Sequence, residues 1–190
     1  MNLPNVLTVS RIFLVPLLVV VLLTKLSSER ELWGFVVFSV AALTDYFDGY
    51  FARKRQQVTT LGKLLDPIAD KLLISAAFIS LVELDIAPAW MVVTIIGREF
   101  AVTGLRSIAS SQGFTIDASK LGKSKMASQV FCIGFLIVGT RFPETPLCQV
   151  GVILLWVVVV LAILSMIQYF RRFWGQIDES FKSRERQALR

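Results

Sequence analysis

The chain contains no histidine. Imidazole acid–base catalysis, histidine nucleophiles and histidine-bound metals are therefore excluded from its chemistry. Cysteine is scarce: Cys132 and Cys148 both lie in or beside apolar runs. Two such residues make neither a disulfide framework nor a zinc site, and both are expected to be packing residues. Charged residues make up only 18% of the chain, and the basic balance of +6 comes with no RNA- or DNA-binding motif. Nucleic acid is not expected as a partner. What is abundant is apolar surface. Hydrophobic residues are 55% of the 190, and the mean hydropathy is +0.66. That level belongs to membrane proteins rather than soluble domains.

The apolar residues recur in six runs: Val6–Leu26, Leu32–Phe51, Leu64–Val82, Ala89–Ile108, Met126–Thr140 and Leu147–Phe170. Most approach the ~20 residues a bilayer-crossing helix needs. Lipid offers the backbone no hydrogen-bond partner, so spans of this kind are helical. The expected fold is all-α, a polytopic membrane protein with six transmembrane helices in one domain, 1–190. No small-x-small cleavage site follows the first run, which is expected to be a retained helix.

Charge in the connections alternates. The second carries Arg53, Lys54, Arg55 and Lys63, and the fourth Lys120, Lys123 and Lys125. The third carries only Glu83 and Asp85. The positive-inside rule then places both termini and the second and fourth connections in the cytoplasm. Residues 171–190 form a basic cytoplasmic tail. At its edge and within it, Phe170, Phe173, Trp174, Ile177 and Phe181 fall at helical spacing among basic residues. This pattern suits an amphipathic helix lying on an anionic leaflet, with a packed C-terminal helix as the alternative.

Four aspartates break the apolar pattern: Asp45, Asp48, Asp66 and Asp70. Charges in membrane helices are costly and mark sites. The spacings put Asp45 and Asp48 on one helix face, and Asp66 and Asp70 on one face of the next. A short basic loop joins the two helices, so both pairs lie near their cytoplasmic ends and can converge. Four clustered anions need cations, and hard divalent ions with oxygen ligands fit best. Two such ions suit in-line displacement at phosphorus. Gly49 and Ala52 lie one turn after Asp45 and Asp48 and leave room for a ligand. Arg53 is placed to hold a phosphate by paired hydrogen bonds. Gly62 lies one turn before Asp66, and Pro67 suits a first helical turn or a kink.

The pattern Asp45-x2-Asp48-Gly49-x2-Ala52-Arg53-x8-Gly62-x3-Asp66-x3-Asp70 resembles the complete signature of the CDP-alcohol phosphatidyltransferase family. LPNVLTVSRIF, GREFAVTGLRSIA and LGKSKM further resemble a bacterial branch that uses glycerol 3-phosphate as acceptor. The resemblance implies an inner-membrane enzyme of phospholipid synthesis, with CDP-diacylglycerol as donor, a cytoplasmic active site and a homodimeric assembly. It implies that Asp45, Asp48 and Asp66 ligate two Mg2+ or Mn2+ ions. Asp70 is implied as general base, close enough to ligate as well. A cation on Asp70 would weaken it as a base. Gly49 and Arg53 are implied as contacts of the diphosphate. Thr59, Asn5 just before the first run, and Thr8 and Arg11 within it are implied as further contacts of the CDP moiety. Thr8, Ser10 and Thr59 serve equally well as cap or turn residues.

A phosphorylated acceptor needs its own cations. Arg106, Lys123 and Lys125 are the candidates, with Arg98 eight residues before Arg106 on the same helix face. An ion pair with Glu99 is the other reading of Arg98. Inositol phosphate, serine or a second lipid remain alternative acceptors, although the basic cluster weakens serine. An intramembrane prenyltransferase and a carboxylate-based ion transporter are more distant readings.

Overall fold

Apolar runs of this length satisfy their backbone by internal helical bonds, and helices are what form. The structure is a computed structural model that describes residues 3–24, 29–55, 60–112 and 120–188, with side chains for 8–24, 29–44, 65, 67–112 and 125–177. Its elements are α1 (Leu3–Leu23), α2 (Arg30–Arg55), α3 (Thr60–Glu83), α4 (Ala89–Ser111), α5 (Lys120–Arg141) and α6 (Leu147–Ala188). There is no strand among the described residues.

The helices match the six apolar runs, with informative differences at the ends. α3 begins at Thr60, so Pro67 lies well inside it rather than in its first turn. There Pro67 removes the N–H that would bond the Lys63 carbonyl, and only the kink reading survives. α5 is longer than expected and takes in Lys120, Lys123 and Lys125. α6 runs for 42 residues without a break. The tail therefore continues the sixth helix instead of forming a separate one. Phe173 is buried and Ile177 half-buried against α4, whereas Trp174 is exposed. As far as Ile177 the packed alternative describes the tail; Phe181 lies outside the described side chains.

The main core draws on all six helices: Leu18 and Leu22, Phe38, Phe78 and Leu81, Ile95, Ile133 and Leu136, and Leu155. α1 packs on α2 and α3, α5 on α6 and α2, and α4 on α6 and α3. α5 and α6 approach each other closely. A methyl added at Gly139 would stand 2.6 Å from the Cys148 backbone nitrogen. A small residue there lets the two backbones meet. Cys132 is buried at the same seam, with its thiol 3.6 Å from the Gly151 carbonyl, and both cysteines are free thiols. Their expected packing role holds.

The outer surface is greasy. Phe13, Val93, Phe131, Ile153 and Trp156 are all exposed. By length and composition one described helix, over Leu147–Ile177, is apolar enough to cross a membrane.

Candidate functional site

Successive helices joined by short connections run in opposite directions. The end of α2, the start of α3, the end of α4, the start of α5, the end of α6 and the start of α1 therefore gather at one end of the bundle. The four aspartates and most of the other candidate binding residues belong to this end, and Arg98 lies nearer the middle of α4.

Asp45 and Asp48 lie on the last three turns of α2, and Asp66 and Asp70 on the first three of α3. The two helices touch. Gly49, Ala52 and Arg53 follow on α2, and Gly62 precedes Asp66 on α3. Thr59 lies outside the described residues, and the side chains of Asn5, Asp45, Asp48, Ala52, Arg53, Asp66 and Lys123 lie outside the described side chains. Among the described side chains no group of three or more metal-binding donors is found. Three of the four aspartates are outside that set. The donors on offer are all carboxylate oxygens, which fit Mg2+ or Mn2+ and not a thiophilic metal.

Asp70 is half-buried, and its charge acts on both Lys71 and Lys125. It is thus the described link between the carboxylates and a second cluster, which is cationic. Arg98 on α4 is 6% exposed, and Lys125 on α5 is 3% exposed. Both pair with Glu99, Arg98 Nη1 at 3.3 Å and Lys125 through its Nζ. Arg98 Nε also donates to Ser165 Oγ on α6 at 2.8 Å. One turn further along α6, the Tyr169 ring lies 5.7 Å from the Arg98 guanidinium carbon and 5.1 Å from that of Arg106. Arg106 donates from Nη2 to the Tyr169 hydroxyl.

The structure therefore brings Arg98, Arg106 and Lys125 into one neighbourhood. The ion pair of Arg98 with Glu99 forms as well, so its two sequence readings hold together. Lys71 on α3 adds its charge to the same neighbourhood, acting with those of Asp70, Arg106 and Lys125. Ser165 and Tyr169 were missed. Their one sequence signal is polarity inside the most apolar helix.

Thr8 and Arg11 on α1 are both fully buried. Thr8 lies inside α1 and not at its start, so it does not cap that helix. Between α2 and α5 runs an apolar groove of about 860 Å³, lined by Phe35, Phe38, Leu43, Met126, Val130 and Phe131 among others. Its Leu43 lies two residues before Asp45 and its Met126 one residue after Lys125.

Comparison with known proteins gives the same picture. A family model described as CDP-alcohol phosphatidyltransferase matches residues 1–164. The chain is 40% identical over 190 residues to the CDP-diacylglycerol–glycerol-3-phosphate 3-phosphatidyltransferase of Bacillus subtilis, covering 94% of this chain and 98% of that protein. A protein of the same name from Rickettsia felis is 39% identical over 171 residues, covering 90% and 94% respectively. A cardiolipin synthase (CMP-forming) from Oryza sativa is 34% identical over 196 residues, covering 92% of this chain but 58% of that protein.

Proposed function

The chain belongs to the CDP-alcohol phosphatidyltransferase family, and we propose that it transfers the phosphatidyl group of CDP-diacylglycerol to a hydroxyl of glycerol 3-phosphate. The products are phosphatidylglycerophosphate and CMP. The observation that carries the choice of acceptor is the gathering of Arg98, Arg106 and Lys125 beside Asp70. A near-dianionic phosphate is the acceptor group such a cluster suits. It suits serine, whose only anion is a single carboxylate, less well, and an uncharged alcohol not at all.

The division of labour follows from the charges. Asp45, Asp48, Asp66 and Asp70 would hold two Mg2+ or Mn2+ ions, which supply neutralisation of the diphosphate and of the departing CMP. Arg53 and the small residues Gly49, Ala52 and Gly62 receive the diphosphate, and Thr59, Asn5, Thr8 and Arg11 enclose the CDP. The apolar groove between α2 and α5 takes an acyl chain of the donor. Arg98, Arg106, Lys123 and Lys125 hold the acceptor phosphate and turn its hydroxyl toward the lipid-bearing phosphorus. Asp70 receives the hydroxyl proton as the oxygen attacks and the bond to CMP breaks. Positioning and fixed charge provide most of the acceleration.

All six helices reach the ~20 residues needed to cross a bilayer. We place them as transmembrane spans of a bacterial inner membrane, with termini and active site on the cytoplasmic side and two chains in the assembly. The exposed apolar belt supports that placement. Purified protein in detergent, given CDP-diacylglycerol, Mg2+ and labelled glycerol 3-phosphate, should release CMP and move label into lipid. Absence of CMP release with every polar acceptor would contradict the proposal.

A further inference from the structure

Two guanidiniums that must receive one phosphate face two physical problems. They repel each other, and each long side chain must be fixed before it can bind in a defined geometry. Arg side chains carry about 2 kcal/mol of rotamer freedom. The structure meets both problems from α6. The Tyr169 ring stands beside both guanidiniums, at 5.7 Å and 5.1 Å, and its π-face is attractive to each. Its hydroxyl accepts a hydrogen bond from Arg106, and Ser165 one turn earlier accepts one from Arg98. Ser165 is in turn oriented by donating to the Ala162 carbonyl at 3.2 Å.

The platform is rigid. Tyr169 is 3% exposed and sits in a small hydrophobic cluster with Val102, Ala109 and Phe173, separate from the main core. That cluster fixes the ring to the same stretch of α4 that carries the two arginines. The bonds to α6 use only part of each planar donor fork, and the rest can serve an anion. The span 1–164 matched by the family model ends one residue before Ser165.

We infer that Ser165 and Tyr169 are positioning residues that hold Arg98 and Arg106 in register for the acceptor phosphate. They touch neither substrate nor the reacting atoms. The inference rests on the assignment of the arginines to acceptor binding, and the test separates the two. It deepens that assignment by moving part of acceptor affinity to the α4–α6 seam, away from the aspartates.

Steady-state kinetics of the full-length protein in detergent with both natural substrates provide the test. Tyr169→Phe keeps the ring and removes the hydroxyl. It should raise KM for glycerol 3-phosphate roughly tenfold. kcat at saturating acceptor should fall far less, and KM for CDP-diacylglycerol should hold within about twofold. Tyr169→Leu removes the ring too and should raise the acceptor KM further. Ser165→Ala should raise it by a smaller factor, about threefold. Arg106→Ala is the control. If it raises the acceptor KM and Tyr169→Phe does not, the positioning role is overturned and the acceptor site stands. If Arg106→Ala leaves the acceptor KM unchanged, the acceptor site itself is wrong and the positioning role falls with it. If Tyr169→Phe lowers the melting temperature and depresses all kinetic constants together, the residue is a packing group and the inference fails.

Discussion

The two charged regions of the site are built in opposite ways. The carboxylates come as two pairs, each within one helix and three or four residues apart. The described cations of the site come from α3, α4 and α5, and the two on α4 are held from a fourth helix, α6. In the anionic region the charge of Asp70 acts on Lys71 and Lys125, and metal ions are proposed to neutralise the clustered carboxylates. The cationic region carries its own partners, Glu99, Ser165 and Tyr169. A site for ions can be specified by local spacing. A site for a phosphate needs charges held apart yet aimed at one point, which takes contacts between helices.

That contrast can be tested from both sides. The largest effect is expected at Asp70. Asp70→Asn should lower turnover roughly a thousandfold while CDP-diacylglycerol still binds, because a base is lost and the donor site is not. CMP release and equilibrium binding on the same preparation check it, and near-normal turnover would remove Asp70 as the base. Next come Arg98→Ala and Lys125→Ala. Each takes a charge from a buried pair with Glu99 and should raise the glycerol 3-phosphate KM about a hundredfold. The donor KM should move little. Parallel rises in both would mean that the two regions are one.

A bulky residue in the groove addresses the donor side alone. Ala127 lines it, and Ala127→Phe should raise KM several-fold for a long-chain CDP-diacylglycerol. A short-chain donor should be affected less, and the acceptor KM not at all. Gly139→Ala lies in neither region. It forces α5 from α6, should cost about 1–3 kcal/mol of stability, and should lower the melting temperature without a selective change in either KM.

The smallest effect is at the start of α2. Burial pushes the Glu31 carboxyl up, but its hydrogen bonds to Arg30 and the backbone and the charges of Arg30 and Arg141 outweigh that. The net result holds it below the usual carboxylate range. A lowered value means a contribution to stability that is present above the ordinary carboxylate pKa and lost as pH falls through the lowered one. Glu31→Gln should slightly flatten the acid side of the melting profile and leave activity alone.

The contrast also explains what could be read in the sequence. Six helices could be read from the hydropathy of single runs, and the aspartate pairs from spacing inside two of them. The arginines on α4 could be suspected because they share a face. Ser165 and Tyr169 could not, because their partners lie 67 and 63 residues away. Periodicity says which residues share a face but not which face another helix will meet. The tail was read as interfacial because its aromatic spacing is equally that of a helix packed on α4.

The central claim is that the cations choose the acceptor while the aspartates do the chemistry. Acceptor discrimination measures it directly, as kcat/KM for glycerol 3-phosphate against kcat/KM for glycerol, in the unaltered protein and in Arg106→Ala. The unaltered protein should prefer the phosphorylated acceptor by roughly a thousandfold or more, since glycerol brings no anion for the donors that the arginines keep free. In Arg106→Ala the preference should shrink at least about tenfold, with glycerol turnover little changed. Equal use of both acceptors by the unaltered protein, or an equal loss on both in Arg106→Ala, would contradict the account.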